Sequence, residues 1–284
     1  MKPYALIAYI VFIFLIEIPG VFMSPGASAN YLSAAIFAMG MAAIVFQVKI
    51  DRGRFRDMGF RLNRNALIGF GIALIFSLIL VLLIFLIPYW LGAVSYVANK
   101  ESVVADVGLS PALMILLLMI FGSLAGFIAC IFGEELAFRG YILPKLEGRF
   151  GAVKAVILCA AIFGLWHLPD YYSLYSGGAA ESGPWAVAFM LLFHAVSSVP
   201  ICILYLTTRE LYGVSFYHAF VDTIQYLIVG NPDMGAASAG AMYNMKVINE
   251  TFIEVVGYGW HIASIPIMLG LCMMARRWTL KYHT

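Results

Sequence analysis

The chain has 284 residues, 63% of them hydrophobic and only 11% charged, against roughly 25% charged in a soluble domain. That balance excludes an ordinary water-soluble globule. The net charge of +2, with no long basic tract, excludes the usual nucleic-acid binder.

About 20 apolar residues cross a bilayer as a helix. By that measure the sequence predicts spans near residues 4–23, 31–48, 66–91, 111–133, 152–168, 185–207, 214–229 and 252–274. The first three and the last are the clearest, and 214–229 is short and dotted with polar residues. No repeat or soluble linker divides them. The expected fold is therefore all-α: one polytopic membrane domain over 1–284 with about eight transmembrane helices.

In the first span, Lys2, the apolar run from Tyr4 and Ala27-Ser28-Ala29 imitate a cleavable signal peptide. The long apolar run favours a retained helix. Glu17, beside Pro19 and Gly20, is expected near the outer interface.

Basic residues orient the spans. Lys49, Arg52, Arg54, Arg56, Arg61 and Arg64 crowd the second connection. Arg139, Lys145, Arg149 and Lys154 flank the fourth, Arg209 marks the sixth, and Arg276, Arg277 and Lys281 follow the last span. The alternate connections hold only Lys100 and Lys246. The positive-inside rule then predicts both termini in the cytoplasm. Trp90, Trp166, Tyr171, Tyr172, Trp185 and Trp278 fall near span ends, as an interfacial aromatic belt would. The Gly/Ala-rich connection 230–242 is expected to be mobile and to lie on the other side.

Ionisable residues inside such spans cost at least a few kcal/mol each and are rare without a task. In the fourth span and its continuation, Glu135 and Arg139 are four apart and share a helix face. Glu134 is turned by about 100° and is the free carboxylate that suits a general base. The alternative is a pair of interfacial acids at the helix end. Gly122, Gly126, Ala129 and Gly133 form a small-residue stripe for close packing on the same helix. Phe163 and His167 share a face of the fifth span, and His218 and Asp222 a face of the seventh. Each pair also reads as a structural feature when taken alone. His194, in the sixth span, is assigned to packing. The four cysteines, Cys130, Cys159, Cys202 and Cys272, lie in apolar runs without metal-type spacing and read as small packing residues.

At these residues the chain resembles the CPBP (ABI) family of intramembrane proteases. That family includes the type II CAAX prenyl endopeptidases and the lysostaphin-resistance-protein-A-like proteins. The pattern Glu134-Glu135-xxx-Arg139, Phe163-xxx-His167 and His218-xxx-Asp222 carries the resemblance, and Arg56-Asp57-Met58-Gly59-Phe60 before the third span adds to it. The resemblance implies an eight-helix fold with a catalytic core over 111–275. It implies hydrolysis of a peptide bond near the C-terminus of a prenylated CAAX-type or other membrane-associated protein, in a cavity open to the cytoplasm. Glu134 and His167 would activate water, and His218 with residue 222 would stabilise the oxyanion. Glu135, Arg139 and Phe163 would support them.

Position 222 departs from the usual asparagine. An ionised aspartate only accepts hydrogen bonds, so Asp222 is either protonated in its buried site or orients His218, and the second is expected. No cofactor is expected. The alternative is a divalent metal such as zinc held by Glu134, His167 and His218. The implied partners are membrane lipid and a protein or lipidated peptide, with no nucleic acid. Two other readings compete: a non-catalytic scaffold or bacteriocin-immunity-type protein, and a transporter with a proton relay, which lacks an inverted repeat. Counting depth at 1.5 Å per residue puts His167 far above Glu134 and His218. A shared site then requires strong tilt, or a fifth helix that starts below the cytoplasmic surface.

Overall fold

In lipid, backbone polar groups must be satisfied within the chain, and helices do this segment by segment. The computed structural model describes residues 3–23, 25–98, 110–169, 183–224 and 243–281, and these are overwhelmingly helical. The helices are α1 (Pro3–Val21), α2 (Pro25–Val45, running on through a π-helical turn, Phe46–Ile50), α3 (Arg64–Trp90), α4 (Pro111–Phe132), α5 (Leu136–Phe150), α6 (Ala152–Trp166), α7 (Gly183–Thr208), α8 (Leu211–Ile224) and α9 (Glu250–Lys281). Two short strands, β1 (Val94–Ala98) and β2 (Tyr243–Val247), pair antiparallel.

Among the described residues, five helical stretches are long and apolar enough to cross a membrane: Tyr4–Val21, Asn30–Ile50, Arg64–Trp90, Val187–Thr208 and Val255–Arg276. A sixth is counted if Met119–Phe132 and Leu136–Phe150, bent by 46° at their junction, form one span. The expected fifth and seventh spans are helices of only 15 and 14 residues. Residues 225–229 and the connection 230–242 lie outside the described residues. Leu15, Phe37, Phe121, Ile157 and Ile262 point outward. Helices apolar on their outer faces as well as their inner ones are solvated by lipid.

The connections gather in two groups. β1 follows α3 and β2 precedes α9, so their pairing, Val94 opposite Val247 through Ala98 opposite Tyr243, ties those two connections together. The connection between α2 and α3 meets α5 and the start of α8: Lys145 Nζ reaches Asp51 Oδ2 at 2.8 Å, and the Leu211 N–H donates to the Gly59 carbonyl at 3.2 Å. Arg209 Nη1 reaches Glu147 Oε2 at 2.5 Å, joining the α7–α8 connection to α5. These groupings follow the alternation of basic and non-basic connections in the sequence.

Gly59 sits at φ 105, where a side chain is strained. It lets the Arg56–Phe60 turn press onto α8, with Met58 fully buried. In the same turn the Arg54 hydrogen bonds hold the Asp57 carboxyl below its usual range.

Two expectations are corrected. Glu17 is 1% exposed and faces the bundle instead of the interface. Trp166 is buried, with its indole N–H donated to the Ile13 carbonyl at 3.3 Å, so it is a core residue and not part of an interfacial belt. Trp90 and Trp185 are exposed as expected, whereas Tyr171, Tyr172 and the Trp278 side chain lie outside the described residues. α1 is packed into the same core through the Tyr9 hydroxyl, which donates to the Met39 carbonyl at 3.0 Å.

Candidate active site

α4 ends at Gly133, whose backbone (φ −101, ψ −108) leaves the helical region. The chain restarts as α5 with a π-helical turn, Leu136–Ile142, in which every residue is buried. Single π-helical turns often mark functional sites, because they rotate side chains out of the ordinary helical register. Glu134 and Glu135 occupy the junction, so neither is a carboxylate at a solvent-exposed helix end.

Glu135 is fully buried and shared. Its Oε1 accepts from Arg139 Nη1 at 2.8 Å and from His218 Nδ1 at 2.6 Å. Arg139 is equally buried. Its Nη2 donates to Ser198 Oγ at 2.7 Å, and its guanidinium lies 4.7 Å from the Phe163 ring centre. A buried ion pair is tolerated only when its remaining hydrogen-bonding capacity is largely met. Ser198 on α7 and the imidazole on α8 do much of that here. The expected Glu135–Arg139 pair is therefore present, and it ties α5 to α7 and α8.

Glu134 is turned the other way. Its Oε2 is buried without a hydrogen bond and lies 3.8 Å from His218 Nε2. Asp222 Oδ1 lies 3.7 Å from the same nitrogen, and its Oδ2 is 3.6 Å from Cys130 Sγ. The Asp222 side chain is 37% exposed, against 11% for His218 and 15% for Glu134. One flank of the cluster is therefore accessible. The contact that orients the His218 ring is made by Glu135 and not by Asp222, whose oxygens stand beyond hydrogen-bonding distance of the ring. This corrects the expectation for position 222.

His167 caps the C-terminal end of α6. A carbonyl only accepts, so its Nδ1–H donates to the Phe163 carbonyl at 2.9 Å. Nε2 is then the nitrogen with a free lone pair in the neutral ring. Phe163 neighbours both imidazoles, with ring centres 4.8 Å from His167 and 6.1 Å from His218.

The depth problem is resolved by a hairpin. α5 and α6 have 15 residues each, on either side of Gly151. Each arm is about 20 Å long, so the chain descends from Glu135 and returns to the same level at His167. Phe138 packs on Phe163 at 5.0 Å and on Trp166 at 5.7 Å, as such a hairpin requires.

Two residues expected to be packing groups, His194 and Cys130, belong to this cluster, and so does Ser198, which no motif singles out. His194 stacks on His167, with ring centres 4.0 Å apart and an interplanar angle of 12°. Ser198 serves Arg139, and Cys130 faces Asp222. Their signal was present in the sequence: His194, Ser198 and Cys202 recur at every fourth position of α7, a polar edge on an apolar helix, and Cys130 stands four residues before Glu134. Among the described residues, one group of three potential metal donors has its atoms within 4.8 Å of one another: Cys130, His218 and Asp222. It shares only His218 with the set Glu134, His167 and His218.

Residues 108–224 match the family model described as type II CAAX prenyl endopeptidase Rce1-like. That stretch contains every residue of the polar cluster, and the family is the one that the three motifs resemble. No curated protein matches the chain at a significant level.

Proposed function

We propose, taking the Rce1-like match as premise, that this integral membrane protein is an intramembrane endopeptidase of the glutamate type. Its substrate would be a prenylated CAAX-type or other membrane-associated protein, cut near the C-terminus. In this reading Glu134 is the general base. Its carboxylate is the one that Arg139 leaves unpaired, and it faces the partly open flank of the cluster.

His167, with Nδ1–H committed to Phe163, would present Nε2 to the same water. Attack on the peptide carbonyl puts negative charge on its oxygen. His218 Nε2–H would meet that charge, with Glu135 and Arg139 holding the ring from behind. Preorganised donors of this kind are worth about 3–4 kcal/mol each in acyl-transfer enzymes. Phe163 would pack against both imidazoles and hold their rings in place. The cavity would open toward the cytoplasm, at the end where the basic connections gather. The chain would cross the membrane about eight times with both termini on that side. No metal is required for this chemistry.

The observation that carries the reading is the pair of unequal carboxylates: Glu135 has one oxygen held by Arg139 and His218, whereas Glu134 has no arginine partner and its Oε2 lies without a hydrogen bond beside His218 Nε2. A purely structural site would neutralise both. The test is Glu134→Gln in the purified, detergent-solubilised protein, assayed on a farnesylated C-terminal peptide. Loss of a positioned base costs about 10²–10⁴-fold in rate. Cleavage within tenfold of the parent would refute the assignment and favour a non-catalytic scaffold.

A further inference from the structure

Cys130, His218 and Asp222 come from two helices and converge to within 4.8 Å, beside the catalytic carboxylate. The gaps between them are informative. His218 Nε2 stands 3.7 Å from Asp222 Oδ1 and 3.8 Å from Glu134 Oε2, too far for hydrogen bonds, which close to about 2.7–3.2 Å. Asp222 Oδ2 is 3.6 Å from Cys130 Sγ. A tetrahedral zinc ion binds nitrogen, oxygen and sulfur at about 2.0–2.3 Å, which makes the edges between its ligands roughly 3.3–3.5 Å between nitrogen and oxygen and about 3.5–3.7 Å where one is sulfur. The Cys130–Asp222 gap falls in that range, and the two His218 gaps lie a few tenths of an ångström above it.

The surroundings favour a cation as well. Arg139 directs Nη1 and Nη2 to Glu135 and Ser198 rather than to Glu134. Glu134 Oε2 is buried with no hydrogen bond, and Asp222 has only the thiol. His218 donates Nδ1–H to the Glu135 carboxylate at 2.6 Å. This is the backing carboxylate that metal-binding histidines generally carry, and it leaves the Nε2 lone pair for the ion. Asp222, the most exposed member, supplies a path for the ion to enter.

We propose that Cys130, His218 and Asp222 form a site for a thiophilic divalent cation of the Zn²⁺ class, and that its occupancy blocks peptide hydrolysis. Binding displaces the Cys130 thiol proton, and any proton on His218 Nε2, to solvent. It occupies the His218 nitrogen and sets a cation beside the Glu134 carboxylate. The inhibitory consequence rests on the protease reading; the binding itself does not.

The test uses the full chain in detergent, stripped with chelator and titrated with Co²⁺. Wild-type protein should take up one ion with tetrahedral visible bands and a thiolate-to-cobalt charge-transfer band, both erased by Zn²⁺. Cys130→Ser should lose the charge-transfer band and bind at least about tenfold more weakly. In the farnesyl-peptide assay, Zn²⁺ should stop cleavage by the wild type, and Cys130→Ser should need at least about tenfold more zinc for the same fractional loss. Asp222→Asn provides a second loss of affinity should the cysteine variant fail to fold. A thiolate band that survives in Cys130→Ser, a zinc sensitivity equal in both proteins, or cleavage that zinc stimulates would overturn the proposal. If neither protein cleaves the peptide but the cobalt signature behaves as stated, the protease reading fails and the metal site stands.

Discussion

Glu134 and Glu135 are chemically identical neighbours, so their difference lies in what each meets after a 100° step around the helix. Glu135 turns toward Arg139 and His218, and its charge is answered twice. Glu134 turns toward Asp222 and the accessible flank, and its charge is left available. A third buried acid follows different rules. Glu210, in the two-residue connection between α7 and α8, is 1% exposed, and burial, opposed by Arg61, pushes its carboxyl up to about 7. An unfolded glutamate titrates near 4.3. Between these values the folded chain keeps a proton that the unfolded chain has released, so stability falls as pH rises from about 4.3 to about 7 and stays low above that. Glu210→Gln should therefore raise the Tm in detergent at pH 8 and leave it nearly unchanged at pH 4. Thermal unfolding at the two pH values checks this, and an equal shift at both would contradict it.

Among the elements, the α5–α6 hairpin sets the site's depth, and α8 closes it. α8 can reach α5 only because it lies against α3 with almost no space between backbones. A Cβ on Gly213 would come within 2.3 Å of the Gly69 carbonyl carbon, and no rotamer relieves a contact with backbone. Gly213→Ala should cost at least the 1–3 kcal/mol typical of overpacking and shift His218 away from Glu135. Gly257→Ala on α9, where nothing lies within 4 Å of the new atom, is the matched control and should be neutral or slightly stabilising. Unfolding midpoints in detergent for the two variants decide the matter, and equal midpoints would mean that the α3–α8 contact is unimportant. The glycine stripe on α4 serves more than one neighbour: Gly126 approaches Ala219 of α8, and Gly133 approaches Ile36 of α2.

For the whole molecule, the two groups of connections predict a labelling pattern. Cysteines introduced at Arg56 and at Ser95, in a chain whose native cysteines are all buried, should react with a membrane-impermeant reagent from opposite sides of sealed vesicles. Labelling of both from one side would break the alternation read from the basic residues. The protein is helical, embedded in the membrane, and carries a protease-family match over 108–224. All of this was legible in the sequence, because apolar length, charge placement and four-residue spacing are properties of the chain taken locally.

Other features were not legible for the same reason. Whether Glu135 reaches His218, whether His194 packs against lipid or stacks on the His167 ring, and whether Cys130 faces lipid or an acid are questions about neighbours between 27 and 92 positions away. Composition and spacing place a side chain on a face of its own helix. Only the bend after Phe132, the hairpin turn at Gly151 and the close approach at Gly213 decide which other face it meets. In a lipid-surrounded bundle, where apolar helices gain little from one face over another, those backbone features and the buried Glu135–Arg139–His218 hydrogen bonds fix the arrangement.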